Sequence, residues 1–463
     1  MFFRYFFIAI LFVAQLGCKG SDSQPIEEQN ITLAQTDVQP AVRVNAEQLI
    51  QFNQAVNSAL LQSFSNSISS ETNVHYAAWS RLKQLHFLSV AAQPKDVYWQ
   101  LPLLADVELA DYAPYLTGYF EQFEQSAYLT SNQLHWLALQ ANYPYKFSFQ
   151  QDVYNYLGDS EVIDFYTDPE NALKLKNAKL AELFHFYQPN LITTIATRLY
   201  WLDSFELSLS LTDTFSVTPL TDRIFKNSAN DYWRIATLEI GGDMQLFEQD
   251  GVKIVNLLPT NSEWKILVVQ TSPYKFASVR NNLTQWLADF KQNNSLQSTS
   301  IEIPHTNFSS DYWSNLNFAM ESSILDEEEG FGDNNRITTE NLTYADFAGE
   351  QALSIEDDKL TYSFALETSL TELKNVDYFN SNGSDINFSS VAISVIGGCS
   401  GPSSYEVDIT STLFVLMKND AVLSLSQFDV SDGEPLPICF GGPTLIPSGE
   451  LTFPNVTAHE SDY

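Results

Sequence analysis

Apolar residues recur at helical spacing from Asn45 to Phe64, where Leu49, Ile50, Phe52, Ala55, Val56, Ala59, Leu60 and Leu61 fall on one face. A second helix is predicted after Asn73, carried by Trp79, Leu82, Leu85, Leu88 and Ala91. Two more are predicted over Asp106 to Gln125 and Asn171 to Phe186. Strand-like runs follow at Leu191 to Leu202, Tyr232 to Ile240, Val252 to Leu258, Trp264 to Val269 and Leu360 to Leu366. Between Val269 and Ser300 the pattern of Leu283, Trp286, Leu287 and Phe290 predicts one further helix. Helices first and strands afterwards imply an α+β fold rather than alternating βαβ units. Towards the C-terminus a β-branched run, Val391 to Ile396, precedes a small-residue segment, Gly397 to Ser404. The runs Ile409 to Met417 and Ala421 to Phe428, split by Lys418-Asn-Asp420, read as a hairpin. A long Gly/Ser/Pro-rich loop is thus expected between a strand and a hairpin, and such loops are usually functional or disordered.

A hydrophobic content of 44% is enough for a sizeable core. The formal charge of −34 argues against nucleic acid and anionic membrane surfaces as partners, because phosphate binding needs clustered Lys and Arg. Residues 1–18 read as an export signal, with Arg4 at the positive end and a short apolar run from Tyr5 to Leu16. Its end, Gln15-Leu16-Gly17-Cys18, resembles a bacterial lipoprotein signal, which implies lipidation of Cys18 and a place at the outer membrane or cell surface. The other reading is an ordinary cleaved signal and a protein free outside the cell. Residues 19–44 are polar and without period, and read as a disordered tether. Cys399 and Cys439 remain. In an oxidising compartment they are expected to pair, contributing up to about 4 kcal/mol by loop entropy; the other outcome is two buried thiols. The six His show no metal-ligand spacing, and the acidic run Asp326 to Asp333 lacks the ligand order of a calcium loop. No metal, cofactor or catalytic constellation is expected, so the chain does not read as an enzyme.

Several short segments occur in a recognisable order. They are Asn73-Val-His-Tyr-Ala-Ala-Trp-Ser80, Ala141-Asn142 with Phe147, Phe149 and Tyr154, Asp164-Phe165, and Ile195-Ala-Thr-Arg-Leu-Tyr-Trp201. Thr214-Phe215, Val255-Asn-Leu-Leu-Pro259, Lys265 to Val269, Leu283-Thr with Trp286, Ile301-Glu-Ile-Pro304 and Ala345-Asp-Phe-Ala-Gly349 follow, and the Leu413 to Phe428 hairpin closes the series. Over roughly residues 45 to 430 the chain resembles the serpin family of protease inhibitors. Ala77 and Ala78 stand where the family has Ser and Pro, and Thr197 where it has Asn.

The resemblance implies one large serpin-like domain over 45–432, with a 433–463 extension, a large central sheet, smaller sheets and an exposed reactive loop. It implies a serine (or cysteine) protease as partner and a monomeric protein. In this family a protease cuts the loop, the loop enters the central sheet as a new middle strand, and the protease is carried along and held as an acyl-enzyme. The closest hinge match is Gly383, Ser384 and Asp385, which places the scissile bond among Ile396, Gly397, Gly398, Cys399 and Ser400. A second alignment takes Phe364 as the strand Phe and Leu370-Thr371-Glu372 as the hinge. Ile386, Asn387 and Phe388 are bulkier than a fast-inserting hinge requires, which favours substrate-like cleavage. The competing function is a non-inhibitory serpin-fold binding or structural lipoprotein.

Overall fold

Long alternating runs make this mainly a sheet protein. The computed structural model describes residues 41–67, 73–91, 112–123, 128–182, 191, 193–229, 231–317, 344–356, 358–371, 405–429 and 434–436. The helices are α1 (Ala46–Ser67), α2 (Ala78–Ala91), α3 (Tyr112–Glu121), α4 (Phe147–Asp152), α5 (Pro169–Leu180), α6 (Pro273–Asn281) and α7 (Leu283–Asn293). The first strands are β1 (Val74–Ala77), β2 (Thr130–Gln140), β3 (Ser160–Ile163), β4 (Thr197–Ser210), β5 (Ser216–Lys226), β6 (Tyr232–Gln249), β7 (Val252–Asn256) and β8 (Trp264–Thr271). The later ones are β9 (Ser295–Pro304), β10 (Thr306–Asn317), β11 (Tyr344–Glu356), β12 (Lys359–Thr371), β13 (Ile409–Thr410), β14 (Thr412–Lys418), β15 (Ala421–Phe428) and β16 (Glu434–Leu436).

Local chemistry sets most of these boundaries. Helix α5 starts where Asp168 accepts a hydrogen bond from the Asn171 backbone N–H, with Pro169 at the first helical position. The single helix expected before Ser300 is two, because Asn282 leaves helical geometry and its side-chain amide bonds back to the Ser278 carbonyl. The strand expected from Leu191 begins only at Thr197. Before it, the Thr194 and Thr197 hydroxyls accept from the Ala196 and Thr194 backbone N–H groups and hold a turn. Strand β6 runs well past Ile240 to a two-residue turn, Asp250-Gly251, with φ of 52° and 74°. Asn419 and Asp420 make the same kind of turn between β14 and β15, with φ of 47° and 68°. Positive φ at both central residues is the type I′ geometry that matches strand twist.

The strands form two sheets. The ten-stranded sheet runs β1-β15-β14-β8-β7-β6-β5-β13, with β9 and β16 also paired to β6. The six-stranded sheet runs β10-β11-β12-β4-β2-β3. The main core joins helices α1–α3, through Phe87 of α2 among others, to side chains of both sheets such as Trp201, Phe347, Phe364 and Phe414. Helices α1, α6 and α7 cover the far face of the ten-stranded sheet through Phe64, Phe276, Leu283 and Phe290. Helix α5 covers the far face of the six-stranded sheet, where Tyr200, Leu202, Ala348 and Ala365 pack with Phe165 and Ala172.

Candidate functional site

The hinge candidates Gly383, Ser384 and Asp385, the scissile region Ile396 to Ser400, Cys399, Cys439 and Cys18 all lie outside the described residues. What the structure does place is the strand that leads into that region and the strand that leaves it. Of the second alignment's hinge, Leu370 and Thr371 are the last two residues of β12 and are buried, and Glu372 lies outside the described residues.

The sequence of β12 alternates from Leu360 to Leu366 and resumes at Leu370 after Thr368. Leu360, Tyr362, Phe364, Leu366 and Leu370 point into the main core, and all five are fully buried. At about 1.5–3 kcal/mol per large side chain, withdrawing them from the core would cost on the order of 10 kcal/mol. Phe364 lies at the centre of an aromatic stack, with ring centroids of His75, Trp79 and Phe205 at 6.1, 6.0 and 6.3 Å. The opposite face carries Thr361, Ser363, Ala365, Glu367 and Ser369.

All 13 residues of β12 pair antiparallel with β11 on one side and β4 on the other. Only Asp357 and Asp358 separate β11 from β12. The Leu211 backbone N–H donates to the Asp358 carbonyl at 2.8 Å and the Thr212 hydroxyl to its carboxylate at 2.7 Å, which ties this turn to the end of β4. The β11–β12 approach is close enough that a Cβ at Gly349 would lie 2.5 Å from the Ala365 carbonyl oxygen. On the helical side, the Gln351 side chain donates to the His75 carbonyl and accepts from the Ala77 N–H, linking β11 to β1.

Glu367 is fully buried on β12. The Lys176 ammonium of α5 lies 3.6 Å from its carboxylate, and the Tyr200 hydroxyl of β4 donates to it. Lys176 also donates to the Leu191 carbonyl and sits 4.6 Å over the Tyr200 ring. Burial pulls the Lys176 ammonium below its ordinary range, and Glu367 acts in the opposite direction. Three elements thus meet at one satisfied buried charge pair.

A second buried charge cluster lies across the sheet. Asp203 of β4 accepts from Lys83 at 3.0 Å and from His135 at 3.1 Å. Burial would raise the Asp203 carboxyl, but Lys83 and His135 outweigh it and hold it below the usual range. Lys83 is packed 4.1 Å over the Phe120 ring. A small void of about 50 Å³ beside them is lined by Trp79, Phe120, Phe123, Gln133 and Phe205. His75 and Ser426 make a Ser–His contact at 2.7 Å, but both are buried and burial lowers the His75 pKa to about 3. That pair is part of the core and has no access for a substrate. Among the described residues no group of three or more His, Cys, Asp or Glu is placed to hold a metal.

The returning end of the chain is equally well held. The Asp408 carboxylate accepts from the Ile224 N–H at 2.8 Å and from Arg223 at 3.3 Å, while Arg223 also pairs with Glu302. Strand β13 then pairs in parallel with β5, and the hairpin β14–β15 enters the ten-stranded sheet. Residues 372–404 therefore connect a strand in one sheet to an anchored strand in the other.

No family model matches this sequence, and no curated protein matches it. Solved structures do. Serpin 42Da in its cleaved form matches with a TM-score of 0.56 and 11% identity, over 84% of this chain and 100% of that one. A loop-inserted, cleaved ovalbumin mutant matches with a TM-score of 0.53 and 13% identity, over 82% and 98%. Tengpin, a thermophilic serpin in the latent state, matches with a TM-score of 0.51 and 12% identity, over 83% and 99%. At these identities the likeness is one of fold, and it spans nearly the whole of each neighbour.

Proposed function

We propose that this chain, which has the serpin fold, is a protease-directed protein that offers residues 372–404 to a serine protease as a cleavable loop. One observation carries the reading: the connection between β12 and β13 joins the two sheets, and both of its flanks are held, Thr371 by pairing with Tyr344 and Thr197 and Asp408 by the Ile224 N–H. The segment holds the apolar and small residues from Val391 to Ser404 that a protease cleft accepts in extended form. Within it we assign the scissile bond to Ile396–Ser400, and Gly383 to Asp385 to the flank that must yield. The protein is exported, with Cys18 as lipid attachment point and a Cys399–Cys439 bridge near the cut.

The experiment is incubation of the purified chain with a panel of trypsin-, chymotrypsin- and elastase-like proteases, with fragments mapped by mass spectrometry. The expected result is a dominant cut within 372–404, at lower protease than any other site. Cleavage spread evenly over the chain, or resistance of that segment to every protease, would overturn the reading. The non-inhibitory alternative is favoured over loop-insertion trapping by one feature, the bulk of Ile386, Asn387 and Phe388 next to the hinge candidates.

A further inference from the structure

We infer that the crook between α1, α6 and α7 is a binding site for a small organic carboxylate, whose anionic end pairs with Arg280 and whose apolar body lies against Leu61 and Leu283. The inference goes beyond the protease-directed reading and does not depend on it.

The site follows from how two short helices are joined. Phe276 and Val279 bury the inner face of α6 in the core over the ten-stranded sheet, and Leu283 and Phe290 do the same for α7. Asn282 breaks the helical path between them, with φ of −113°. The chain turns a corner where it passes α1, and a cavity of about 450 Å³ lies there. It is lined by Ser58, Leu61 and Gln62 of α1, Arg280 of α6, and Leu283 and Thr284 of α7. Small-molecule sites typically measure about 300–1,000 Å³.

Arg280 is the unusual member, because it is only 7% exposed. Buried charges are normally paired. Lys83 meets that rule with Asp203, and Lys176 with Glu367. Arg280 forms no ion pair with a described residue. Its Nη1 donates to the Gln427 side-chain oxygen at a long 3.5 Å, and its Nε has no partner among the described residues. Burial pulls the guanidinium below its ordinary range, and the charge of Asp429 acts in the opposite direction. The Asp429 carboxylate is already engaged, accepting from the Ser228 N–H and hydroxyl and from the Ser411 hydroxyl.

A second observation is independent of Arg280. Leu283 and Thr284 are the first two residues of α7, and the preceding Asn282 makes no side-chain cap bond. The N–H groups and macrodipole at such an end favour an anion. A guanidinium and a helix N-terminus thus converge on one cavity, in a chain whose formal charge is −34. The planar fork of an arginine matches the two oxygens of a carboxylate. An inorganic oxyanion would make no use of the two leucines. An uncharged ligand would leave Arg280 without a counter-ion. A carboxylate with an apolar body uses both.

The test is titration calorimetry of the full chain near neutral pH, with sodium octanoate as probe and octan-1-ol and sodium sulfate as comparisons. Octanoate should bind at one site with a Kd of about 1 mM or tighter. Octan-1-ol and sulfate should each bind about tenfold more weakly or less. Arg280→Met keeps the bulk and removes the charge, and should weaken octanoate by about tenfold or more while leaving octan-1-ol unchanged. Thr284 is exposed at the cavity, so Thr284→Trp fills the space without disturbing the core and should abolish octanoate binding. No saturable octanoate binding overturns the inference, as does octan-1-ol or sulfate binding as tightly, or unchanged affinity in either variant. If Arg280→Met does not fold, Thr284→Trp and the two comparison probes decide.

Discussion

The charge pair under α5 offers a quantitative handle on β12. Glu367→Ala removes the carboxylate from a site with no exposure and leaves the Lys176 ammonium buried without its counter-ion. Breaking one side of a buried pair costs about 3–5 kcal/mol, most of it the stranded charge rather than the lost attraction. Tyr200→Phe removes one hydrogen bond to a charged acceptor and should cost less, about 1.5–3 kcal/mol. Replacing both charges by apolar residues, Glu367→Leu with Lys176→Met, should restore stability to the starting value or above it, because the pair must also overcome its own desolvation. The assay is equilibrium urea unfolding of the intact chain, followed by tryptophan fluorescence, with a double-mutant cycle between positions 176 and 367. We expect a coupling energy of at least about 1 kcal/mol. Glu367→Ala within about 0.5 kcal/mol of the parent, with the two sites additive, would show that Glu367 does not face Lys176 and that β12 lies elsewhere.

Gly349→Ala should destabilise by about 1–3 kcal/mol in the same melts, because its Cβ meets backbone and not a movable side chain; a neutral effect would mean β11 and β12 are further apart. Stability should also fall with acid. Burial holds His75 at about 3, whereas the unfolded residue titrates near 6.5, so the unfolded chain takes up a proton that the folded one excludes. The full contribution is present above about pH 7 and declines by roughly 1.4 kcal/mol per unit as pH drops from 6.5 towards 3. His86, lowered by burial and then by Lys83, adds in the same direction. Melts at pH 7.5, 6 and 5 check this, and a flat profile would refute it. Finally, thiol titration of the unfolded, unreduced chain should find Cys399 and Cys439 unreactive, and two free thiols there would remove the bridge.

Parts of this fold are legible from residue pattern alone and parts are not, for identifiable reasons. The Asn419-Asp420 hairpin and the alternation over Leu360 to Leu366 are local signals, and the structure has both. The last five residues of β12 do not read as strand, because Glu367, Thr368, Ser369 and Thr371 look like a polar exit from the sheet. Their burial depends on Lys176 and Tyr200, far away in the chain. The second half of β6 escapes the pattern, although Asp250-Gly251 is a strong turn signal that could extend it. β2 escapes it because its first half is largely exposed and only Trp136 to Gln140 is continuously buried. Ala345 to Gly349 stands out as a motif, but nothing local shows it to be a strand paired through Gly349 with Leu366. Least legible is the direction of β12 against β4. Strand direction is a property of the whole sheet, and neither hinge alignment decides it.

Hydrogen exchange on the intact chain is the most direct measurement of the pairing of β12 with β4, on which the placement of the 372–404 connection rests. Peptides covering Leu360–Leu370 should be as protected as those covering Leu199–Leu209, with which they pair residue by residue. Rapid exchange of Leu360–Leu370 beside a protected Leu199–Leu209 would contradict this pairing and show that β12 does not lie in the middle of the sheet.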